Sequence, residues 1–199
     1  FLFALFAGLF MVGCGESDLS DPDVVKDAIA DAVEYDDLED RDGVTYLPNT
    51  DKPFSGYAKE TYENEQVSNL AEFKDGYAVR GKAWRENGTP MGEETYKDGE
   101  RHGLYTTWHE NGQKMEEVTY KDGNYHGLRT EWYDNGQMRG EVSWKDGKQD
   151  GLLTEWYENG QKKEEINYKD DKKNGLHTRW SENGQKKEEI NYKDDKKNG

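Results

Sequence analysis

The sequence predicts an all-β fold: an elongated single-layer antiparallel sheet of tandem β-hairpin repeats, preceded by a signal peptide and a short helical or linker segment. A tryptophan recurs every 24 residues from Trp84 to Trp180, and an Asn-Gly pair keeps the same interval from Asn87 to Asn183. Apolar residues alternate with polar ones around both markers. A fixed period of this length is typical of repeat architectures, and two-residue alternation is typical of half-buried strands.

Composition argues against a large closed core and against nucleic acid as a partner. Only 32% of residues are apolar, below the roughly 45–50%, glycine included, of ordinary globular domains. Residues 15–55 carry 13 acidic and 3 basic side chains, which gives −10 of the net charge of −16. The repeats supply the remaining −6. Neither part has the basic surface that nucleic acid or anionic lipid requires.

The first 13 residues are an uncharged apolar run, which has the length of a signal-peptide core and is too short to cross a bilayer. The run ends in Met-Val-Gly-Cys at residues 11–14, which resembles the lipobox of bacterial lipoproteins. That resemblance implies acylation of Cys14 and a lipid-anchored place in the bacterial cell envelope, at the outer membrane or a periplasm-facing membrane surface. The alternative is a buried strand with an ordinary free cysteine. We expect the sequence to be a fragment at both ends.

The next segment predicts an acidic tether at residues 14–42 with a short helix at about 22–34. Asp21 followed by proline suits a helix start, and apolar residues recur at four-residue intervals from Val25. Residues 43–55 predict a strand and a turn. We expect this segment to cap the first repeat, because the end of a repeat stack needs protection.

Six hairpin repeats follow, and the start of a seventh. Their boundaries are 56–80, 81–102, 103–126, 127–150, 151–174 and 175–198. A three-residue Asn-Gly loop with Gly160 left-handed would pair Tyr157 with Gln161. It would gather the tryptophan, threonine and leucine of the first strand and the apolar residues of the second on one face. Glu155 would then meet Lys163 on the other face, where Arg129 is also expected. Six hairpins give about twelve strands.

The second connection of each repeat carries Asp-Gly, as at Asp146 and Gly147. In the last two repeats Asp171 and Asp195 stand in place of the glycine. The sequence therefore does not require a left-handed residue at this position.

The pattern G-x-x-x-x-W-x-x-N-G-Q…Y-K-D-G-x-x-x-G over about residues 43–199 resembles the bacterial MORN-repeat variant of the YwqK type, often labelled a toxin–antitoxin system antitoxin. The resemblance implies an interaction scaffold. The leading interpretation is an envelope-anchored lipoprotein whose array binds a protein or a cell-wall glycan. The alternatives are an antitoxin that neutralises a toxin by direct binding and a structural spacer. A cytoplasmic antitoxin has no use for an export signal.

No residues suggest an enzyme, a cofactor or a metal site. Adjacent carboxylates such as Glu164 and Glu165 point to opposite faces of a strand, and no nucleophile–base arrangement stands out. His102 and His126 lie at a turn position that other repeats fill with unrelated polar residues. A metal would require further ligands beside them.

The aromatic rows are the candidate binding residues. They are Trp84, Trp108, Trp132, Trp156, Trp180, Tyr120, Trp144 and Tyr168. One interpretation is that these rings only form the core. The other is that a single-layer sheet leaves one apolar face uncovered, and a patch of that size marks a binding surface. The expected partner is a protein or a cell-wall glycan, with the membrane reached only through acylated Cys14.

Overall fold

A computed structural model describes Leu19 and residues 21–198, so the predicted signal peptide and Cys14 lie outside the described residues. The described elements are α1 (Pro22–Asp31), β1 (Val33–Glu34), a 3-10 helix (Tyr35–Asp37), β2 (Glu39–Arg41), β3 (Val44–Tyr46), β4 (Gly56–Thr61), β5 (Val67–Lys74), β6 (Tyr77–Trp84), β7 (Pro90–Lys97), β8 (Glu100–Arg101), β9 (Gly103–Trp108), β10 (Lys114–Lys121), β11 (Asn124–Trp132), β12 (Met138–Lys145), β13 (Lys148–Trp156), β14 (Lys162–Lys169), β15 (Lys172–Trp180), β16 (Lys186–Lys193) and β17 (Lys196–Lys197).

The repeats form one long sheet, and the predicted fold class is confirmed. Its order runs β1, β4 to β7 and β9 to β17, with β8 paired to β7, which makes 15 strands. Successive strands pair antiparallel as hairpins, and only β1 joins β4 in parallel. The strands β2 and β3 form a separate hairpin.

The Asn-Gly loop has the predicted conformation. The Tyr157 amide donates to the Gln161 carbonyl at 2.8 Å, and Gly160 is left-handed with φ +79°. The Asn159 side-chain amide oxygen Oδ1 accepts from the Gln161 backbone amide at 3.0 Å, which closes the loop from inside. Lys163 also meets Glu155 as predicted, with Nζ 2.8 Å from Oε2.

The second connection is a two-residue turn in which both central residues have positive φ, the geometry that matches strand twist. Asp170 and Asp171 keep this conformation at φ 48° and 64°. Substitution of aspartate for glycine therefore does not relax the left-handed position, and the sequence-based expectation was wrong. The Asp171 carboxylate accepts from the Gln149 amide of the preceding repeat at 2.8 Å, which helps to hold the residue there.

The predicted single apolar face is also wrong, because a β-bulge follows each Asn-Gly loop. Trp156 pairs with Lys162, but Glu155 pairs with Glu164, so Lys163 is an extra residue. Such a residue moves the rest of the strand by one position and to the other face. Leu153, rather than Leu152, therefore lies opposite Ile166.

The sheet consequently has two different faces. The tyrosine face carries Tyr120, Trp144 and Tyr168 over a buried row of Val118, Val142 and Ile166, which are 1, 6 and 0% exposed. The tryptophan face carries the tryptophan, threonine and leucine of the first strand in repeats three to six. Arg129 lies on the tyrosine face opposite Val142.

The N-terminal segment packs on both faces of the first repeat. On the tryptophan face, α1 forms a small core with Leu19 and Leu70. On the tyrosine face, Phe54 and Phe73 form a second core, against which Leu38 packs. The edge of the sheet between these cores is paired by β1.

Candidate functional site

The structure separates the eight predicted binding residues. The five tryptophans lie on the tryptophan face, and Tyr120, Trp144 and Tyr168 lie on the opposite face. Among the tryptophans, Trp84 packs against the core beneath α1. The other four are half-buried, and α1 is the only α-helix in the described part of the chain. Those four tryptophans remain the candidate binding row.

Three rows of side chains cross the tryptophan face of repeats three to six. One row holds the tryptophans Trp108, Trp132, Trp156 and Trp180. A second holds Thr106, Thr130, Thr154 and Thr178, each no more than 9% exposed. The third holds Leu104, Leu128, Leu152 and Leu176, which are between 42 and 50% exposed.

These three rows form a strip of surface, which we name the tryptophan channel, in which the threonines are buried between the other two rows. Within one strand, the leucine and the tryptophan are four residues apart, and four residues of strand span about 13 Å. The short threonine lies between them. On the intervening strands the floor is continued by Glu117, Glu141, Glu165 and Glu189, each paired across the sheet with a threonine. The channel therefore has apolar walls and a polar floor.

Lysines flank the channel. Lys114 and Lys162 form ion pairs with Glu117 and Glu165 of the floor. Their Nζ atoms also lie 5.8 Å from the ring centroids of Trp132 and Trp180, one repeat further on. A cation over an indole ring is attracted to its face. These lysines pair with two of the four floor glutamates and lie against the tryptophan rings, and they leave the leucine row free.

The side chain directly after a tryptophan of the 24-residue row holds the next repeat in every case but that of Trp180. The hydroxyls of Tyr133 and Tyr157 donate to the carbonyls of Trp156 and Trp180 at 2.8 and 2.9 Å. At the same position, Arg85 donates to the Trp108 carbonyl at 2.6 Å. Sequence reasoning missed these links because the residue type varies. The signal that identifies them is a long hydrogen-bond donor at a constant offset from tryptophan.

The aromatic residues of the tyrosine face pack on one another. Ring centroids of Tyr105 and Tyr120 are 5.9 Å apart, those of Tyr120 and Tyr125 are 4.9 Å apart, and those of Tyr125 and Trp144 are 5.0 Å apart. Burial raises the pKa of Tyr168, and nearby Glu164 raises it further. The packing assigns Tyr120 and Trp144 a structural role.

The tyrosine face also has a groove of about 530 Å³ over the first two repeats. Its floor is made of small residues, among them Gly81, Ala83 and Gly92, and Tyr35 and Tyr96 are in its walls. Burial and a hydrogen bond with Glu94 raise the pKa of Tyr96 to about 12. The sequence pattern does not predict this groove, because Tyr35 comes from the non-repetitive segment.

His102 and His126 each contact an aspartate in the next turn along the array. The Nδ1 atom of His102 lies 3.3 Å from Asp122, and that of His126 lies 3.2 Å from Asp146. Within the described residues, no group of three or more histidine, cysteine, aspartate or glutamate side chains is arranged to hold a metal ion. In the same part of the chain, no helix has the length and apolarity to cross a membrane.

Comparison with known proteins identifies the repeats. A search of curated proteins found no match to the chain. The family model of the MORN repeat variant matches residues 101–122, 125–146, 149–170 and 173–194, which are the hairpins that carry the tryptophan channel. MORN repeats generally mediate interactions with proteins or membranes and are scaffolds rather than catalysts. Residues 101–194 are therefore four tandem units similar to the MORN repeat variant.

Proposed function

We propose that this chain is an interaction scaffold that binds a partner protein along the tryptophan channel. The observation that carries the proposal is the row of half-exposed leucines beside the tryptophans, with no described helix over it. An exposed apolar row of this length costs solubility unless it has a partner, and such patches mark interaction surfaces. The polar floor and lysine margin resemble the polar rim of protein interfaces.

The proposal includes a place in the bacterial envelope, which rests on the likeness of residues 11–14 to a lipobox. Acylated Cys14 would anchor the chain, and the acidic segment would hold the repeats away from an anionic surface. A cell-wall glycan is the second candidate ligand for a row of indole rings. An antitoxin would use the same channel for a toxin, whereas a spacer would leave the channel empty.

Capture by matched variants tests the proposal. The full chain and a Leu128→Glu/Leu152→Glu variant are immobilised and exposed to an extract of the source cells. We expect a protein that the full chain retains and the variant loses, because two buried charges oppose association. The control is Gln137→Glu/Gln161→Glu, which adds the same charge in exposed loops.

Each outcome distinguishes between the functions. A captured protein that the Leu128→Glu/Leu152→Glu variant retains equally would place the interface elsewhere and contradict the proposal. Capture of glycan alone would replace the protein partner by a carbohydrate. If the captured protein is toxic when expressed alone, the chain is an antitoxin. If nothing is captured, the chain is a structural spacer.

A further inference from the structure

The groove on the tyrosine face lies where the chain departs from its own repeat pattern. Gly81 has no side chain and pairs across the sheet with Glu94. At the same position, later repeats carry a larger side chain, namely Tyr105, Arg129, Leu153 and His177. Those four residues pair with apolar ones, namely Val118, Val142, Ile166 and Ile190. In the second repeat a carboxylate therefore borders an unfilled space, and the groove of about 530 Å³ includes that space.

Neither the backbone nor crowding requires glycine at position 81. The φ angle of Gly81 lies outside the left-handed region that favours glycine. A Cβ built there would lie 3.7 Å from Cγ and 4.0 Å from Oε1 of Glu94, and both are ordinary van der Waals distances. Glycine inside a strand often marks a place where a ligand approaches closely. The missing side chain leaves Oε1 of Glu94 beside open space.

A second polar group beside the groove lacks a partner. The Thr107 side chain lines the groove and is 8% exposed, and its hydroxyl makes no hydrogen bond within the described part of the chain. Its methyl carbon is the atom that faces Gly92, 3.9 Å from where a Cβ would lie. Rotation about one bond turns the hydroxyl to that side. A ligand N–H in the groove would then satisfy a buried group whose unpaired state costs free energy.

The charges on this side of the sheet favour a cation in the groove. Glu60 and Glu94 line it, together with Arg101, whose Nε already lies 2.8 Å from Oε2 of Glu94. Asp36 adds a carboxylate beside Glu60 at one end. The other charged residues of the lining alternate to the tryptophan face, and they are Arg80, Lys82 and Glu93. Carboxylates therefore outnumber cations on the tyrosine face of the groove.

The later repeats show what this position of the sheet accommodates when it is filled. The guanidinium of Arg129 lies 2.5 Å from Glu116 and 2.6 Å from Glu131. The ring of His177 lies 2.6 Å from Glu164. Two of the four later side chains at this position are thus basic groups that contact glutamate. A basic group over Gly81 would repeat an arrangement that the array already contains.

We propose that the groove over Gly81 binds the guanidinium group of an arginine side chain in a partner protein. The ligand takes the place of the missing side chain, with its guanidinium at Oε1 of Glu94. A carboxylate has about four acceptor sites, so Glu94 can hold this group as well as Arg101. Tyr35 and Tyr96 in the walls suit a planar cation, which is attracted to the face of an aromatic ring. The groove is on the surface of the sheet, so the main chain that carries the arginine can remain outside.

A short peptide with one arginine, acetyl-Gly-Gly-Arg-Gly-Gly-amide, tests the site. It is titrated into the full chain labelled with nitrogen-15, and the amide signals of Gly81 and Gly92 are followed by NMR. We expect saturable shifts of both signals. Glu94→Gln should weaken binding by at least about tenfold, because a hydrogen bond between charged groups is lost. Glu86→Gln removes the same charge from an exposed loop and should bind as the unmodified chain does.

Two further variants separate the groove from the rest of the surface. Gly81→Leu fills the space with the side chain that the equivalent Leu153 carries, and it should abolish the shift at Gly92 while urea unfolding shows that the array remains folded. Leu128→Glu/Leu152→Glu alters only the opposite face and should bind the peptide as the unmodified chain does. The groove and the tryptophan channel are therefore tested independently. Undiminished binding by both Gly81→Leu and Glu94→Gln would overturn the proposal.

Altered peptides test the chemistry of the ligand. One has citrulline in place of arginine, which keeps the shape and removes the charge, and the other has lysine, which keeps the charge and loses the planar fork. We expect both to bind at least about tenfold more weakly than the arginine peptide, since each loses charge-assisted or paired hydrogen bonds. Equal binding of either peptide would overturn the guanidinium. Free arginine that binds more tightly than the peptide would make a small molecule the ligand and overturn the partner protein.

Discussion

Arg129 illustrates how the tyrosine face accommodates charge. Its guanidinium lies 2.5 Å from Glu116 and 2.6 Å from Glu131, on the neighbouring strand and on its own strand. The side chains of Arg129 and Glu116 are 25 and 16% exposed. Charge-assisted hydrogen bonds at such burial are stronger than surface ion pairs. The pair is therefore part of the packing above Val118.

Arg129→Ala should lower the free energy of unfolding by about 1–3 kcal/mol, because it leaves the partly buried Glu116 without this partner. Urea unfolding measures the loss. Arg139→Ala is the matched control, since this arginine is exposed and its removal should stay within about 0.5 kcal/mol. Equal effects of the two substitutions would mean that Arg129 contributes only as a surface charge.

The sequence was informative about which residues matter and less so about where they point. The 24-residue spacing of the tryptophans identified the repeat, and the preference of Asn-Gly pairs for tight turns identified Gly160 as left-handed. Sequence reasoning places Trp156 and Ile166 on one face because it does not detect the extra residue of the bulge. That residue is Lys163, which follows another lysine and has no distinguishing feature in the sequence. A single bulge reverses every later side chain, so the faces could not be predicted by counting.

At the scale of the element, each hairpin joins its neighbour at both ends. The Asn159 side chain donates to the Glu182 carbonyl of the next loop at 2.8 Å. At the opposite end, the Asp171 amide donates to the Gln149 carbonyl at 3.0 Å, and its carboxylate accepts from the Gln149 amide. Strand pairing is thus reinforced by contacts that skip one strand.

Asp171→Ala should destabilise the array by about 1–2 kcal/mol. The substitution removes the hydrogen bond to Gln149 and keeps a Cβ in the left-handed region. In Asp171→Gly the relief of backbone strain offsets the lost hydrogen bond, so we expect a change of less than about 0.5 kcal/mol. Urea unfolding compares the two variants. A glycine variant as unstable as the alanine variant would show that the side-chain contact alone determines the effect.

At the scale of the whole molecule, the described residues form a linear array of hairpins whose N-terminal end carries additional elements. Each hairpin contacts its neighbours, so a local change should spread to adjacent repeats and not further. At the first repeat, α1 and Leu38 cover opposite faces. The repeat period predicted this linear arrangement from sequence. It did not predict which face α1 would cover, because that depends on contacts such as Lys82 with Leu19.

The charge of the whole chain predicts that the repeats do not bind lipid directly. A chain that begins at Gly15 retains the full net charge of −16 and lacks Cys14. We expect it to remain in the supernatant with phosphatidylglycerol vesicles at physiological salt, because anionic surfaces attract basic rather than acidic segments. Co-sedimentation would show that the repeats themselves bind membranes.

The proposed acylation of Cys14 is tested in a separate experiment. Expressed in a bacterial host with a basic leader added, the full chain should incorporate a fatty-acid analogue. Cys14→Ser should not. Label that persists in this variant would show that Cys14 is not the acylated residue.

The donor that follows all but the last of the tryptophans at 24-residue spacing gives the array a direction. Tyr133 and Tyr157 each reach forward to a carbonyl in the next unit, whereas Ser181 at the same position turns back to the Gln185 carbonyl of its own loop at 2.9 Å. A unit of 24 residues with tyrosine at this position therefore brings one donor for its successor and one acceptor for its predecessor. Tandem duplication of the gene segment can add such a unit without creating an unmatched group. Residues 157–174 and 181–198 are identical apart from Tyr157 and Ser181, which is the pattern that tandem duplication of a unit produces.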